Sequence, residues 1–223
     1  MKKQAKLGYI ATNESLDSII VGMMLDRRDK VLAILGSGDQ AFAMLEYGCS
    51  VIAVDCNAKQ RRLAETRVEM LAGGDTHGFL YYAGCEENLV DDSDMMHRDA
   101  RNEYFMRAGK LGKIRRNLSN LKIRKEDIFN VREKGFTKIY LSNALVLYGT
   151  CIGRDDYWNK CLKAMVRLLE PEGLLYISNS HCIDDILAYS RKEEKTLRLE
   201  KELTKKCRQF DTGEWTPGVY RKI

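Results

Sequence analysis

Two short apolar runs, separated by a glycine-rich turn and an amphipathic stretch, constrain the fold of this chain more than any other feature. The first run, VLAIL at 31–35, is apolar at every position, as expected for a strand buried on both faces of a sheet. The turn leads into a helix predicted over Ala41–Tyr47, which Gly48 ends. The second run, VIAVD at 51–55, has the same buried pattern. Strand, helix and strand in this order predict two parallel neighbours in an α/β sheet.

The turn and the end of the second strand carry the residues that indicate a ligand. Gly36 and Gly38 have no side chains, so a ligand can approach the main chain closely at these positions. The turn opens onto a predicted helix N-terminus, where N–H groups and the positive end of the helix dipole face outwards. Asp55 follows Gly36 by 19 residues, and a carboxylate there can accept hydrogen bonds from both hydroxyls of a ribose. The pattern predicts a nucleoside-type ligand at the carboxyl ends of two parallel strands.

The rest of the chain alternates apolar runs with amphipathic stretches and predicts one domain over residues 1–223. Further strands are expected at 121–127, 137–145 and 174–178. Further helices are expected at 13–25, 58–71, 157–169 and 182–207. Residues 208–210 and 218–223 are expected to pair as an antiparallel edge. The stretch at about 75–118 has a helical pattern and predicts an insertion that caps the ligand pocket.

Two classes of nucleoside cofactor fit the turn. The spacing Gly36-x-Gly38-x-x-Ala41 also matches the dinucleotide fingerprint, so a nicotinamide cofactor stays open. Three features favour S-adenosylmethionine: a helix before the first strand, an Asp-Ile pair after the third strand, and the antiparallel end of the chain. In this interpretation Asp127 takes the adenine amino group and Ile128 covers the adenine ring.

The order of elements resembles the class I S-adenosylmethionine-dependent methyltransferase superfamily over essentially the whole chain. The resemblance implies an α/β, Rossmann-like sheet of seven mostly parallel strands, with helices on both faces and an antiparallel C-terminal edge strand. Within this superfamily, Ser37–Leu45 and Val54–Gln60 are similar to the 3-amino-3-carboxypropyltransferases of betaine-lipid synthesis, which act on diacylglycerol. The similarity continues at 78–84, 104–110 and 141–143.

The chain departs from these families at four places. Ile34 stands where an acidic residue is usual in the first strand of the methyltransferases. Gln40 and Ala58 replace an asparagine and a proline of the aminocarboxypropyltransferase motifs. The segment Ala11–Glu14 lies where those enzymes have a tryptophan-containing acidic motif, and it has no tryptophan.

The resemblance implies a role for each candidate residue at the cofactor. Asp55 would hold the ribose, with Cys56 and Asn57 beside the adenosine and Gln60 in the same motif. Asp127 and Ile128 would lie at the adenine. The methionine part and the sulfur would be lined by the glycine-rich turn, namely Gly36, Ser37, Gly38, Asp39 and Gln40.

A second group of residues would lie near the reacting atoms. Ser142, Asn143 and Ala144 would be below the sulfur, and Asn143, Tyr148 and Tyr9 are the candidates for catalytic contact with an acceptor. A catalytic triad is not required, because the sulfonium is already activated and the reaction needs mainly positioning of the nucleophile.

The resemblance favours transfer of the 3-amino-3-carboxypropyl group to a small or lipid-like acceptor, with release of methylthioadenosine. A methyltransferase that acts on a small molecule and releases S-adenosylhomocysteine is the alternative. A non-catalytic cofactor-binding or scaffold protein is a third possibility. Which carbon of the sulfonium faces the acceptor decides between the two transfer reactions.

Composition restricts the partners and the location. The chain has 223 residues, 44% of them apolar, which is enough to bury a core. Its net charge of +5 is too weak alone to indicate a nucleic-acid partner. The stretch Arg107–Lys125, however, contains eight cations and no acid, and it could face a phosphate, an anionic membrane or RNA, or simply solvent.

The seven cysteines contain no C-x-x-C pair, so reduced thiols and no metal site are expected. No apolar run is long enough for a span or a signal core, so we expect a cytoplasmic protein, with peripheral membrane contact through the basic stretch left open.

Overall fold

The computed structural model describes residues 8–82, 92–145, 155–178, 196–210 and 215–223, which build one seven-stranded sheet. The strands are β1 Lys30–Ile34, β2 Ser50–Val54, β3 Leu121–Arg124, β4 Phe136–Tyr140, β5 Leu169–Ile177, β6 Leu197–Leu199 and β7 Gly218–Lys222. Their order across the sheet is β3-β2-β1-β4-β5-β7-β6. The pairs among β1 to β5 are parallel, whereas β7 is antiparallel to both of its neighbours.

Eight α-helices are described around this sheet. They are α1 Leu16–Met23, α2 Asp39–Leu45, α3 Ala58–Gly73, α4 Thr76–Tyr81, α5 Asp92–Met106, α6 Lys110–Arg116, α7 Asp155–Leu168 and α8 Lys201–Arg208. Ser15 caps α1, since its hydroxyl accepts a hydrogen bond from the Ser18 N–H at 3.2 Å. Within the described ranges, none of the helices has the length and apolar character that crossing a membrane requires.

The core lies on both faces of the sheet, and β1 shows why. Val31 and Ala33 pack into one hydrophobic cluster, while Leu32 between them packs into the other. The first cluster is built with α1 to α6 and α8, and the second with α7. Successive side chains of a strand point to opposite faces, so a strand covered on both sides needs the uninterrupted apolar run of β1.

The C-terminal part of the chain corrects two predictions. A continuous helix over 182–207 is wrong, because Leu197–Leu199 is strand β6 and only Lys201–Arg208 is helical; residues 179–195 lie outside the described ranges. The alternation of Leu197, Arg198 and Leu199 has the period of a strand, and Leu197 is buried in the second cluster.

The predicted pairing of 208–210 with 218–223 is also wrong. Residue Arg208 ends α8, and β7 instead pairs with β5 on one side and β6 on the other. The C-terminal strand is therefore internal to the antiparallel part of the sheet, and the outermost strand is β6. The side chain of Tyr220 in β7 is fully buried, as an internal position requires.

Residues 75–118 form α4, α5 and α6 where they are described, and these helices lie on the same face as α1, α2 and α3. A buried aromatic group connects them to the rest of the core. Phe79 packs edge-on against Phe42 of α2 and Phe105 of α5, with ring centroids 5.2 Å apart in both pairs. The described part of this segment thus thickens one face of the core.

Candidate functional site

A cavity of about 250 Å³ lies at the carboxyl ends of β1, β2 and β4. The sheet order reverses direction at β1, which has β2 on one side and β4 on the other, and this is the place where open α/β sheets bind ligands. The lining residues come from five separate parts of the chain. They are Tyr9, Ala11, Thr12, Asn13 and Glu14, then Ile34, Leu35, Gly36, Ser37 and Gln40, then Asp55, Ser142, Asn143 and Ala144, and finally Trp215.

The two glycines of the turn are needed for different structural reasons. Gly36 has a φ of +50°, and a Cβ built on it meets no atom within 4 Å, so its main chain faces open space at the cavity. Gly38 has a φ of +87°, and a Cβ there would lie 3.1 Å from the Cβ of Ala64 and 3.2 Å from the ring of Phe42. Of these two glycines, Gly36 presents its main chain to a ligand, whereas Gly38 allows α2 to pack closely against α3.

Asp55 follows β2 and is half-buried at the cavity. Its Oδ1 accepts a hydrogen bond from the Asn57 N–H at 2.7 Å, and the Gly36 N–H is near enough to stabilise the ionised carboxylate. Burial raises the pKa of Asp55 above its usual value, although the two N–H groups act in the opposite direction. The main chain fixes the orientation of this carboxylate at the cavity.

A second carboxylate, that of Glu14, lines the same cavity and is 7% exposed. The hydroxyls of Tyr140 and Ser142 donate to its Oε1, the former at 2.8 Å, and the Ser178 hydroxyl donates to its Oε2. Burial and the neighbouring Glu14 raise the pKa of Tyr140 well above its usual value, so Tyr140 stays protonated and remains a donor. Ser142 has a φ of +53°, a conformation that non-glycine residues rarely adopt.

Sequence reasoning did not single out Glu14 as a ligand contact. It is 126 residues from Tyr140 and 164 from Ser178 along the chain, so no local spacing connects these groups. The local signal is a polar stretch, Thr12 to Glu14, placed directly before the cap of an apolar helix.

The segment that carries Glu14 is fastened to the glycine turn by Gln60. The Gln60 Oε1 accepts hydrogen bonds from the main-chain N–H groups of Gly8 at 2.6 Å and Tyr9 at 3.1 Å. Its Nε2 donates to the carbonyl oxygens of Tyr9 at 3.0 Å and Gly36 at 2.7 Å. Gln60 does not line the cavity; it positions two of the segments that do.

Below the turn, Asp39 lies fully buried between two arginines. Its Oδ1 is 2.6 Å from Nε of Arg101 and 3.4 Å from Nη1 of Arg67, while its Oδ2 accepts from the Ser37 hydroxyl at 2.8 Å and from the Thr12 N–H at 2.9 Å. Burial raises the pKa of Asp39, but the charges of Arg101 and Arg67 outweigh this effect and hold it below the usual value. Burial lowers the pKa of Arg67 to about 10, so this guanidinium is charged at neutral pH.

Several predicted residues come together at the cavity and others do not. Those that line it are Tyr9, Gly36, Ser37, Gln40, Asp55, Ser142, Asn143 and Ala144. Those that do not line it are Gly38, Asp39, Cys56, Asn57, Gln60, Asp127 and Ile128. Tyr148 lies outside the described residues.

The predicted adenine contacts have structural roles of their own. Asn57 caps α3 by accepting from the Lys59 N–H at 2.9 Å, and the Asp127 side chain accepts from the Phe129 N–H at 3.0 Å. Ile128 is buried in the second core cluster. Burial raises the pKa of the Cys56 thiol, and the carboxylates of Asp127 and Asp55 add to the effect.

Trp215 is a cavity residue from the C-terminal part of the chain. Its Nε1 donates to the carbonyl oxygen of Asn13 at 3.1 Å, and both residues line the cavity. The sequence predicts only a turn here, since an isolated tryptophan between two elements has no periodic pattern. No described residue of 75–118 lines this cavity, and residues 83–91 lie outside the described ranges, so the cap stays a prediction.

No protein-family model matches the chain, and no curated protein sequence matches it. Solved structures do match. A magnesium protoporphyrin IX methyltransferase from Synechocystis PCC 6803 has a TM-score of 0.56 and 11% identity, covering 93% of this chain and 78% of its own. A tRNA methyltransferase from Aquifex aeolicus has a TM-score of 0.53 and 11% identity, covering 100% and 71%.

A SAM-dependent O-methyltransferase from Thermotoga maritima also matches, with a TM-score of 0.52 and 11% identity. The match covers 93% of this chain and 64% of that enzyme. Identities this low establish the fold and not the reaction. The chain has the Rossmann-like fold of the class I S-adenosylmethionine-dependent methyltransferases, and the predicted fold class is confirmed.

Proposed function

We propose that this protein is an S-adenosylmethionine-dependent transferase that binds the sulfonium nucleoside in the cavity at the ends of β1, β2 and β4. The observation that carries the proposal is the meeting of the Asp55 carboxylate and the open Gly36 main chain in one cavity at the reversal of the sheet order. A carboxylate accepts the two ribose hydroxyls, and bare main chain admits the adjoining part of the ligand.

Residues in and beside the cavity suggest how the ligand lies. With the ribose at Asp55, the adenine extends beyond the lining residues, toward Cys56 and Asp127. The methionine part extends past Gly36 and Ser37. The carbons attached to sulfur then face the end of β4, where Asn143 is found.

The sulfonium supplies an activated carbon, and the residues of this chain supply position. A nucleophile held in line with that carbon gains several kcal/mol relative to free reactants, about 7–11 kcal/mol at most. Asn143 and Tyr9 line the cavity and are the candidates for contact with the acceptor. Tyr9 is 49% exposed, so it lies where an acceptor would enter from solvent.

The methyl group is the better supported of the two groups that could be transferred, because the similar solved structures are methyltransferases. The 3-amino-3-carboxypropyl group is the second candidate. Its support is the similarity of Ser37–Leu45 and Val54–Gln60 to enzymes that transfer it, together with the contacts of Gln60 to both Tyr9 and Gly36.

The basic stretch Arg107–Lys125 gives little support to an anionic acceptor. Arg107 lies 2.7 Å from Asp17, Lys110 and Lys113 both bond to Glu46, and Arg124 lies 2.8 Å from Glu133. These cations therefore connect α6, the turn before it and β3 to neighbouring parts of the chain. Arg116, Lys122 and Lys125 are exposed and remain the candidates for contact with a phosphate or a membrane.

The nucleoside product distinguishes the two reactions. The purified protein is incubated with S-adenosylmethionine and a panel of acceptors, including small amines and phenols and diacylglycerol vesicles, and the nucleosides are separated by chromatography. S-adenosylhomocysteine is the expected product. Methylthioadenosine formed above the level of spontaneous breakdown would establish the second candidate instead. Failure to bind either nucleoside would contradict the proposed function.

A further inference from the structure

We propose that Glu14 binds the α-ammonium group of the methionine part of S-adenosylmethionine, so that the site selects ligands with an amino-acid tail. This inference rests on the proposed function and adds to it a contact that neither the glycine turn nor Asp55 provides. Its basis is the buried Glu14 carboxylate at the cavity wall, held by hydroxyls from the ends of two strands.

The charge of the cavity wall favours a cationic group. Asp55 and Glu14 both line the cavity, and the lining residues that the structure describes include no lysine, arginine or histidine. Ile34 and Leu35, at the end of β1, contribute only aliphatic surface. S-adenosylmethionine carries two positive centres and one carboxylate, so its net charge complements this wall.

The Glu14 carboxylate is preorganised. Tyr140 lies in β4, Ser142 is the second residue after β4, and Ser178 directly follows β5, so the sheet fixes all three hydroxyls relative to one another. Ser142 reaches Glu14 from a left-handed main-chain conformation, which is strained for a residue other than glycine and persists only where the surroundings enforce it. These three hydroxyls fix the orientation of the carboxylate, and an oriented carboxylate forms strong, charge-assisted hydrogen bonds with a cation.

The ammonium group fits Glu14 better than the sulfonium does. An ammonium has three N–H donors and forms short, charge-assisted hydrogen bonds with a carboxylate, whereas a sulfonium has no hydrogen to donate. Glu14 and Asp55 belong to different segments that line the same cavity with Gly36. Gln60 joins the N-terminal segment to the turn, since its Nε2 donates to the carbonyl oxygens of both Tyr9 and Gly36. A ligand with a ribose at one end and an ammonium group at the other complements both carboxylates.

The test compares ligands with and without the amino-acid tail. Affinities of the Glu14→Gln variant are measured by calorimetry for S-adenosylhomocysteine, its deaminated analogue and methylthioadenosine. We expect the variant to bind S-adenosylhomocysteine about ten- to a hundredfold more weakly and to bind the other two ligands as the wild type does. Glu133→Gln, the same change at a carboxylate remote from the cavity, should leave all affinities unchanged.

The outcomes separate this inference from the proposed function. If Glu14→Gln binds all three ligands with wild-type affinity, or weakens all three equally, Glu14 does not hold the ammonium group. If the wild type binds none of them, the proposed function itself fails. Should Glu14→Gln not fold, as judged by circular dichroism, Ser178→Ala replaces it: loss of one hydroxyl from the carboxylate should weaken S-adenosylhomocysteine selectively, and equal weakening of methylthioadenosine would overturn the inference.

Discussion

At the residue scale, two aspartates of this site differ in burial, in charged partners and therefore in pKa. Asp55 is half-buried and open to the cavity, Asp39 is fully buried between two guanidinium groups, and both are aspartates near one turn. The pKa of Asp55 is raised and that of Asp39 is lowered, because desolvation is the largest effect at both sites but only Asp39 has buried cations that outweigh it. Acid should therefore affect ligand binding and folding through different carboxylates.

The affinity for methylthioadenosine should depend on the ionisation of Asp55. Ribose hydroxyls donate to the ionised carboxylate, so affinity is complete above the pKa of Asp55 and is lost as pH falls through it. Because that pKa lies above the usual 3.8, the loss should begin at a higher pH than for an ordinary aspartate. Titration calorimetry across pH measures this loss of affinity. Methylthioadenosine is the ligand of choice because it lacks the α-ammonium group that we propose Glu14 binds.

The Asp55→Asn variant is the control for this dependence. Its free energy of binding to methylthioadenosine should be about 1–3 kcal/mol less favourable, and the loss of affinity at low pH should disappear. Wild-type affinity in this variant would remove Asp55 from the binding site. An acid limb that persists in it would assign the titration to another group.

The stability of the fold should depend on Asp39. Replacing it by asparagine leaves Arg67 and Arg101 buried without their shared anion, and we expect a loss of about 3–5 kcal/mol in the free energy of unfolding. Since the folded pKa of Asp39 is below the unfolded value, its contribution is complete above the unfolded pKa and is lost as pH falls through the folded pKa.

Urea unfolding at several pH values measures this contribution. Asp99→Asn is the matched control, because the Asp99 side chain is 71% exposed and its contact with Arg98 is long at 3.9 Å. It should change stability by less than about 1 kcal/mol. Equal losses in the two variants would mean that the buried group contributes no more than a surface pair.

At the scale of elements, the packing of α1 determines where the Glu14 segment lies. The helix packs on α8 and on β5, and Ser18 of α1 shares a 3.0 Å hydrogen bond with the hydroxyl of Tyr176 in β5. Gly22 makes this approach possible: a Cβ there would lie 2.6 Å from Sγ of Cys207 and 2.8 Å from the ring of Tyr176. The contact joins the N-terminal helix to the C-terminal helix.

Gly22→Ala should destabilise the protein although alanine favours helices. The overpacking costs about 1–3 kcal/mol, against a gain in helix propensity of up to about 1 kcal/mol. Gly73→Ala in α3 is the matched control, since a Cβ at Gly73 meets nothing within 4 Å, and it should be neutral or slightly stabilising. Thermal unfolding compares the two variants, and a Gly22→Ala protein as stable as Gly73→Ala would contradict this account of α1.

The sequence predicts the first half of the sheet well because the relevant signals are local. VLAIL and VIAVD are uninterrupted apolar runs, and β1 and β2 fall within one residue of the predicted positions. The prediction fails in the C-terminal part because β6 has only three residues, and its pairing with β7 joins residues 21 to 25 positions apart. A strand this short is specified by its partners and by burial of Leu197, and neither is visible in local periodicity.

The site divides in the same way. Gly36 and Asp55 are found from local spacing in a strand, turn, helix and strand. Glu14, Ser178 and Trp215 are not, because each reaches the site through contacts between distant parts of the chain. Asp39 and Gln60 lie in recognisable motifs, but the structure shows that their side chains position the cavity-lining segments from behind.

At the scale of the whole molecule, the strand order creates the cavity. The chain leaves β1 toward β2 on one side and leaves β4 toward β5 on the other, so a gap opens between the ends of these two neighbouring strands. Ligand binding there should stabilise the entire fold. At a concentration one hundred times the dissociation constant, S-adenosylhomocysteine should add about 2.7 kcal/mol and raise the melting temperature by roughly 5–10 °C. NAD should give no shift, and a rise with NAD alone would favour a nicotinamide cofactor.

A crystal structure of the protein with S-adenosylhomocysteine tests the central claim most directly. The account predicts electron density for the nucleoside in the cavity at the ends of β1, β2 and β4. The ribose hydroxyls should contact Asp55, and the α-amino group of the homocysteine part should contact Glu14. Density for the nucleoside at another place, or a cavity filled by the protein's own side chains, would contradict it.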